Sequence, residues 1–259
     1  MKISSTKINK YITSDKYDFK RFKMHYSSKE ILSIDTFNIN KFAYFSHFGS
    51  YKDLKNINEF LSTLGDNNKI LVNIMEKIIY NITKKVLKGY NMEHFWMDIR
   101  VSIPNNDYDI PRWHKDGNFF PNERYDEKNT SKFVTVMKGP GTLLIKGTKR
   151  INKIYNKNFR QEMSELTPDS PIAKSVEVAD KYRAILAKKL SKEPVVQVKN
   201  NEALIFFTGV TKKGVPIQEV DWSTGALHSE PKIDAPRMFI SILPSTEDNI
   251  MALKKRWNR

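Results

Sequence analysis

Residues 225–243, GALHSEPKIDAPRMFISIL, join a histidine to a strongly apolar strand that opens on an arginine. His228 lies nine residues before Arg237. Alternation along the strand predicts two faces, with Arg237, Phe239 and Ser241 on one and Met238, Ile240 and Ile242 on the other. An arginine on such a strand predicts an anionic partner, because an unpaired buried charge costs several kcal/mol. That partner is either a structural carboxylate or the carboxylate of a bound small molecule.

A second stretch, PRWHKDGNFF (111–120), contains His114 and Asp116. In an extended segment, residues i and i+2 point to the same face, so this imidazole and carboxylate can converge on one ion. The alternative interpretation is a turn, because Asp-Gly is a common turn dipeptide that Asp116 would cap. The other histidines are expected to have packing or surface roles: His25, His47 and His94.

Together the two stretches supply two histidines and one carboxylate, the facial triad of non-haem Fe(II) oxygenases. The order HxD, long gap, His, then Arg on the next strand resembles the Fe(II)/2-oxoglutarate dioxygenase superfamily. GPGTLLIKGTKR (139–150) resembles the segment that follows HxD in phytanoyl-CoA-hydroxylase-like members, and NNEALIFFTG (200–209) resembles the strand before their second histidine. The resemblance covers about 95–244, with 149–193 inserted.

The resemblance implies a double-stranded β-helix, a jelly-roll or cupin-like barrel whose mouth holds the metal. It makes His114, Asp116 and His228 the catalytic Fe(II) ligands, and it pairs Arg237 with the distal carboxylate of the cosubstrate 2-oxoglutarate. Many relatives have Arg-x-Ser here, whereas this chain has Phe239, so Ser241 is a substitute candidate. Two further polar residues are candidates for cosubstrate contacts or for structural strand positions: Arg100 and Thr135. The implied reaction uses O2, hydroxylates the substrate and releases succinate and CO2.

The wider pattern predicts an α+β protein of one domain, 1–259. Apolar residues at three- and four-residue spacings predict a helix over 54–64 that ends at Gly65, and a helix over 70–87 that ends at Gly89. The second helix has one apolar stripe, so it is expected to pack on a sheet. The domain is expected to comprise an N-terminal strand and helix layer (1–90), a β-helix core (91–148 and 194–245) and an insertion (149–193) with a helix over 176–190. Alternating apolar stretches predict strands at 94–103, 132–139, 141–148, 194–199, 202–209 and 237–244.

Composition excludes several classes of protein. The 259 residues contain no cysteine, which excludes disulfides, cysteine-ligated zinc, iron–sulfur clusters and a cysteine nucleophile. The first fifteen residues lack the apolar stretch of a signal peptide, and no run approaches the length of a membrane helix. The sequence therefore predicts a soluble, intracellular, cytoplasmic protein with no membrane partner.

The formal charge of +15 fits a nucleic acid, an acidic protein, or a phosphorylated or carboxylated metabolite as partner. Lysine and arginine are spread along the chain without a block of five or six, and no base-flipping motif is evident. A small-molecule or protein substrate is therefore favoured over a nucleic acid. The candidate substrate-wall residues, which core packing explains equally well for the aromatics, are Trp113, Asn118, Phe119 and Phe120.

Two alternatives stay open at the level of sequence. One is a cupin-like metalloenzyme that uses the same triad without 2-oxoglutarate, with Arg237 paired to an internal carboxylate. The other is a non-catalytic barrel that offers a basic surface to nucleic acid.

Overall fold

The computed structural model describes residues 2–13, 18–107, 109–117, 119, 131–167, 169–208 and 225–257. The described helices are α1 (Ser5–Ile12), α2 (Ser28–Thr36), α3 (Ile57–Ser62), α4 (Lys69–Tyr90), α5 (Lys149–Ser164), α6 (Ile172–Leu190) and α7 (Glu247–Arg256). The described strands are β1 (Phe19–Lys23), β2 (Ala43–Ser50), β3 (His94–Ser102), β4 (Ser131–Lys138), β5 (Leu143–Ile145), β6 (Val195–Gln197), β7 (Glu202–Phe207), β8 (Leu227–Ser229) and β9 (Arg237–Ser245).

The strands form two antiparallel sheets. The large sheet has the order β1-β7-β4-β9-β3-β2, and the small sheet has the order β6-β5-β8. From β4 in the large sheet the chain passes to the small sheet for β5 and β6 and returns to the large sheet for β7. It then crosses to the small sheet for β8 and returns to the large sheet for β9. This alternation between two facing sheets is the double-stranded β-helix that was predicted.

An apolar cluster joins the two sheets. Val134 of β4 and Leu204 of β7 pack with Leu144 of β5 and with Val198. Successive residues of the same strands alternate to the other face, where Phe133 and Ile205 belong to the main core. The large sheet is therefore covered on both faces, by the small sheet on one and by helices on the other.

Helix α4 covers the outer face of the large sheet, as its apolar stripe predicted. Ile78, Ile82 and Val86 share the main core with strand residues of β3 and β9. The predicted end at Gly89 is wrong: the helix continues to Tyr90, and Asn91 ends it in the left-handed region with φ 53°. A Cβ on Gly89 would lie 2.5 Å from Ile8, so this glycine permits the close approach of α1.

The other helices differ in part from the prediction. Helix α3 is shorter than the predicted range 54–64. Leu54 ends a 3-10 turn and lies outside the helix, which begins at Ile57. Residues 149–193, which were predicted to form an insertion, contain two helices that pack together, α5 and α6, and only the second was predicted. No helix in the described part of the chain is long and apolar enough to span a bilayer.

Candidate metal centre

His114 and His228 are brought together by backbone pairing at the edge of the small sheet. The amide of His114 donates to the carbonyl of His228 at 2.9 Å, and the amide of His228 donates to that of His114 at 3.0 Å. The other edge of β8 pairs with β5, which places Leu144 opposite His228. The HxD segment thus extends the small sheet, and the two imidazole centroids lie 4.2 Å apart.

Asp116 completes the cluster. One of its carboxylate oxygens lies 3.8 Å from Nε2 of His114, and the other lies 3.5 Å from Nε2 of His228. Three ligand atoms, one from each residue, fall within 4.8 Å of one another. This is the only group of three or more His, Cys, Asp or Glu residues among the described residues that meets that criterion.

Backbone carbonyls hold both imidazole rings. Nδ1 of His114 lies 2.7 Å from the carbonyl oxygen of Arg112, and Nδ1 of His228 lies 2.9 Å from that of Ala226. Because a carbonyl only accepts, each Nδ1 carries the proton in the neutral ring, and each Nε2 keeps its lone pair. The lone pairs of the two rings therefore lie on the Nε2 atoms, which face Asp116. Metal-binding histidines are commonly oriented in this way, by donation from the other ring nitrogen to a backbone carbonyl.

The charges of the cluster favour the forms that ligate metals. Burial raises the pKa of Asp116, but Lys132, His228 and His114 outweigh it and hold that pKa well below its usual range. Burial and the adjacent His114 lower the pKa of His228 to about 4. At neutral pH the carboxylate is therefore ionised and this imidazole is neutral, as metal binding requires.

Lys132 is a site residue that the sequence analysis missed. Its side chain is only 7% exposed, and its ammonium forms an ion pair with Asp116. The ammonium also lies 5.2 Å from the ring centroid of Phe206 and 5.6 Å from that of Phe119. The signal was available, because Lys132 is a charged residue on a strand as apolar as the one that carries Arg237, and it shares the face of Val134.

Arg237 and Ser241 lie on the inner face of β9, as predicted, with Phe239 between them. The Nε of Arg237 donates to the carbonyl of Pro140 at 2.9 Å, and Nη2 lies 3.4 Å from the hydroxyl of Thr142. The guanidinium carbon lies 5.0 Å from the Phe239 ring centroid. Part of the guanidinium therefore holds the 140–142 turn.

Thr135 does not lie at the site, so its prediction as a cosubstrate contact is wrong. Its hydroxyl donates to the carbonyl of Glu202 at 3.1 Å and lies 3.9 Å from the sulfur of Met24, a residue of the main core on the helix-covered face. Arg100, by contrast, lies at the mouth. Its guanidinium is 3.6 Å from Asp98 and 3.8 Å from Glu230.

A cavity of about 480 Å³ opens beside His114. One side of the cavity is lined by the segment that carries His114 and Asp116, here called the metal segment, through Arg112, Trp113 and Lys115. The other side is lined by residues of α5 and α6, among them Tyr155 and Arg183. The amide of Lys115 donates to the Tyr155 hydroxyl at 3.2 Å, so the insertion is tied directly to the metal segment. The insertion therefore shapes the space in front of the candidate metal.

Glu230 is a second residue that the sequence analysis missed, although it follows His228 by two positions. It lines the cavity. Burial raises its pKa, but the neighbouring His114, His228 and Arg237 outweigh this and lower the pKa below its usual value. The cation nearest to the Glu230 carboxylate among the ion pairs of the described residues is Arg100, at 3.8 Å.

The predicted substrate-wall residues have different positions. Trp113 lines the cavity and is also buried against Tyr155 and Leu186. Phe119 packs against Trp96, with ring centroids 5.6 Å apart, on the side of α7. Asn118 and Phe120 lie outside the described residues.

The remaining histidines have structural partners, as predicted. His25 forms a backbone bridge with Lys2, and His94 lies 3.7 Å from Glu247. His47 lies 3.0 Å from the carbonyl oxygen of Ser50 and packs on Phe95.

Comparison with known proteins gives matches among solved structures only. No protein-family model and no curated protein sequence matches this chain. A Kdo hydroxylase, described as a non-heme Fe(II) alphaketoglutarate dependent dioxygenase in complex with alphaketoglutarate and Fe(III), is 11% identical with a TM-score of 0.46, over 98% of this chain and 88% of that one. A prolyl-4-hydroxylase of Pseudomonas putida is 7% identical with a TM-score of 0.37, over 93% of this chain and 98% of that one.

The dioxygenase for auxin oxidation 1 of Arabidopsis thaliana, in complex with 2-oxoglutarate, is 9% identical with a TM-score of 0.40, over 94% of this chain and 89% of that one. All three TM-scores are below 0.5, so these similarities carry no argument by themselves. The fold assignment is based on the strand order of this chain, and the function proposed below is based on its own residues. None of the three is described as a phytanoyl-CoA hydroxylase, so that narrower resemblance stays a prediction.

Proposed function

We propose that this protein is a non-haem Fe(II)- and 2-oxoglutarate-dependent dioxygenase that hydroxylates its substrate and releases succinate and CO2. One observation carries the proposal. The Nδ1 atoms of His114 and His228 each contact a backbone carbonyl, so both Nε2 atoms face the ionised carboxylate of Asp116 at the mouth of the barrel. Two histidines and one carboxylate with open positions are the donor set of non-haem Fe(II) oxygenases.

The residues fit the metal. His114, Asp116 and His228 would hold Fe(II) through two Nε2 atoms and one carboxylate oxygen. The ion pair to Lys132 keeps Asp116 ionised and fixes the carboxylate from inside the barrel. When bound, Fe(II) with 2-oxoglutarate and O2 supplies the oxidation, and the protein supplies orientation, charge and exclusion of water.

A buried cation on the inner face of the large sheet supports the use of an anionic cosubstrate. Arg237 is 3% exposed, whereas the other buried cation of this face, Lys132, is paired with Asp116. Arg237 is the proposed anchor for the distal carboxylate of 2-oxoglutarate, since a guanidinium grips a carboxylate with two hydrogen bonds. Ser241, on the same face, is the proposed hydroxyl partner in place of the serine that Phe239 displaces.

The substrate is proposed to enter the cavity beside His114, where Trp113 and Tyr155 contribute aromatic wall and Arg100 lies at the entrance. A volume of about 480 Å³ is in the range of small-molecule sites, and it would also accept a protruding side chain. A small-molecule or protein side-chain substrate is therefore compatible with this space.

Anaerobic spectroscopy tests the proposal. Fe(II)-loaded protein is expected to develop a weak metal-to-ligand charge-transfer band in the visible on addition of 2-oxoglutarate, and to form succinate once O2 is admitted. His114→Ala should abolish the band, whereas His94→Ala, which removes a histidine outside the cluster, should retain it. Protein that takes up no metal would contradict the proposal.

A second candidate function is a metalloenzyme that uses the same triad without 2-oxoglutarate. The Nε of Arg237 already donates to Pro140, and Glu230 is close enough for the Arg237 charge to lower its pKa. Metal uptake with no charge-transfer band and no succinate would favour this candidate.

A further inference from the structure

Helix α5 presents a row of four cations on one face. Lys149, Lys153, Lys157 and Arg160 follow one another at spacings of four, four and three residues, and all four are exposed. At a rise of about 1.5 Å per residue the row extends roughly 16 Å along the helix. In the described part of the chain none of the four side chains lies within ion-pair distance of a carboxylate.

The described residues that line the row are cations or amides, and none of them is acidic. A surface groove of about 600 Å³ follows these cations, and its other described lining residues are the amides Asn152, Asn156 and Gln161. Like charges three or four residues apart destabilise a helix by about 0.2–0.5 kcal/mol per pair, and the row contains three such pairs. The helix therefore tolerates self-repulsion that an anionic partner would relieve.

The row begins next to the candidate metal centre. Asn152, in the first turn of α5, accepts a hydrogen bond at 2.9 Å from the ammonium of Lys115, which follows His114 in the chain. Tyr155, on the inner side of the same helix, accepts from the Lys115 amide. The helix that carries the row is thus fixed to the residue that follows a proposed iron ligand.

We propose that this face of α5, the basic row Lys149, Lys153, Lys157 and Arg160, binds the phosphodiester backbone of a nucleic-acid strand. Binding of a polyphosphate backbone comes from ion pairing and counterion release, so it needs cations and polar groups but no apolar anchor. A protein partner would use aromatic and apolar anchors, and a membrane surface would take up an apolar face. The described lining of the groove offers neither.

The basic row contrasts with the scatter of lysine and arginine along the chain, from which a small-molecule or protein substrate was favoured over a nucleic acid. No block of like charges occurs in 149–160, yet the helical period gathers every third or fourth residue on one face. The binding surface itself does not depend on the metal.

Fluorescence anisotropy with a labelled 15-nucleotide oligothymidylate and metal-free full-length protein tests the surface. The variant Lys149→Gln/Lys153→Gln/Lys157→Gln/Arg160→Gln should bind at least tenfold more weakly at about 50 mM salt. The slope of log K against log salt should fall in magnitude by about 3, since each lost contact to a single strand removes about 0.7. The matched control is Lys77→Gln/Lys84→Gln/Lys85→Gln/Lys88→Gln, which removes four exposed lysines from α4 on the far side of the large sheet.

The control variant should bind within about twofold of the parent protein, because its four lysines lie away from the proposed binding surface. It is matched because it changes the net charge by the same amount. An equal loss in both quadruple variants would overturn the proposal, since net charge alone would then explain the binding. Displacement of the oligonucleotide by an equal charge concentration of polyglutamate, or preferential binding to anionic phosphatidylserine vesicles, would overturn it as well. Both variants should keep the metal affinity of the parent, so failure here leaves the proposed metal chemistry untouched.

Discussion

His114 and His228 are backbone partners as well as neighbouring side chains. Each amide donates to the carbonyl of the other, at 2.9 and 3.0 Å, so the geometry of the sheet sets the distance between the two imidazoles. Sheet pairing fixes the Cα positions, and the carbonyls of Arg112 and Ala226 fix the ring orientation. The candidate metal centre is therefore part of the small sheet, which orients its histidine ligands.

His114→Ala should abolish metal binding and leave the fold intact. The side chain of His114 is 41% exposed, so its removal opens no sealed cavity, whereas the backbone pair with His228 survives. Isothermal titration with Co(II) under reducing conditions should show loss of the single site, and thermal unfolding should shift by no more than a few degrees. His94→Ala is the control, and unfolding of His114→Ala at ambient temperature would assign the residue a structural role.

Asp116→Ala should destabilise the protein much more than His114→Ala does, because it leaves the ammonium of Lys132 buried without its carboxylate. Breaking a buried ion pair from one side costs about 3–5 kcal/mol. The double variant Asp116→Ala/Lys132→Met should recover most of that loss in urea unfolding and still bind no metal. Additive losses in the double variant would show that the two side chains do not interact.

Arg237→Lys should weaken 2-oxoglutarate binding and spare the metal. A lysine keeps the charge but loses the two-pronged grip, so the dissociation constant for 2-oxoglutarate, read from the charge-transfer band, should rise about tenfold or more. Metal affinity should stay within about threefold. Arg100→Gln, a change at the mouth on the adjacent strand, should leave the cosubstrate constant unchanged. If Arg100→Gln weakens 2-oxoglutarate binding and Arg237→Lys does not, then Arg100 and not Arg237 binds the distal carboxylate.

The metal-free protein should lose stability as the pH falls from about 6.5 to 4. Burial lowers the pKa of His228 to about 4, whereas in the unfolded chain it is near 6.5, so within this window the unfolded state binds a proton that the native state does not. The free energy of unfolding should therefore fall by up to about 3 kcal/mol across the window from this residue. In urea unfolding at pH 7 and 4.5, His228→Gln should show a smaller decrease than the parent. An identical decrease would place the acid sensitivity elsewhere.

Much of the barrel was predictable because its strands have strong local signals. The alternation at 237–243 and the stripe of α4 correspond to observed faces. The N-terminal strand β1 was missed because FKRFK is a charge-rich edge strand with two apolar residues. Helix α5 was missed although Ile151, Ile154, Tyr155 and Phe159 recur at helical spacing, because most of its other residues are polar or charged.

The metal ligands were predictable from order and spacing, whereas the inner lining was only partly so. Thr135 was placed wrongly because β4 is apolar on both faces, so its alternation does not show which face is inside. Lys132 could have been found by the same reasoning, as a charge on an apolar strand. Glu230 and the cavity depend on how the insertion packs, and local sequence carries little information about such contacts between distant segments.

The most direct test of the metal centre is a crystal structure of the Fe(II)-loaded protein with anomalous data collected at the iron edge. We expect a single anomalous peak, roughly 2.0–2.2 Å from Nε2 of His114, Nε2 of His228 and one carboxylate oxygen of Asp116. A peak bound through either Nδ1 atom, or located away from these three side chains, would contradict the account.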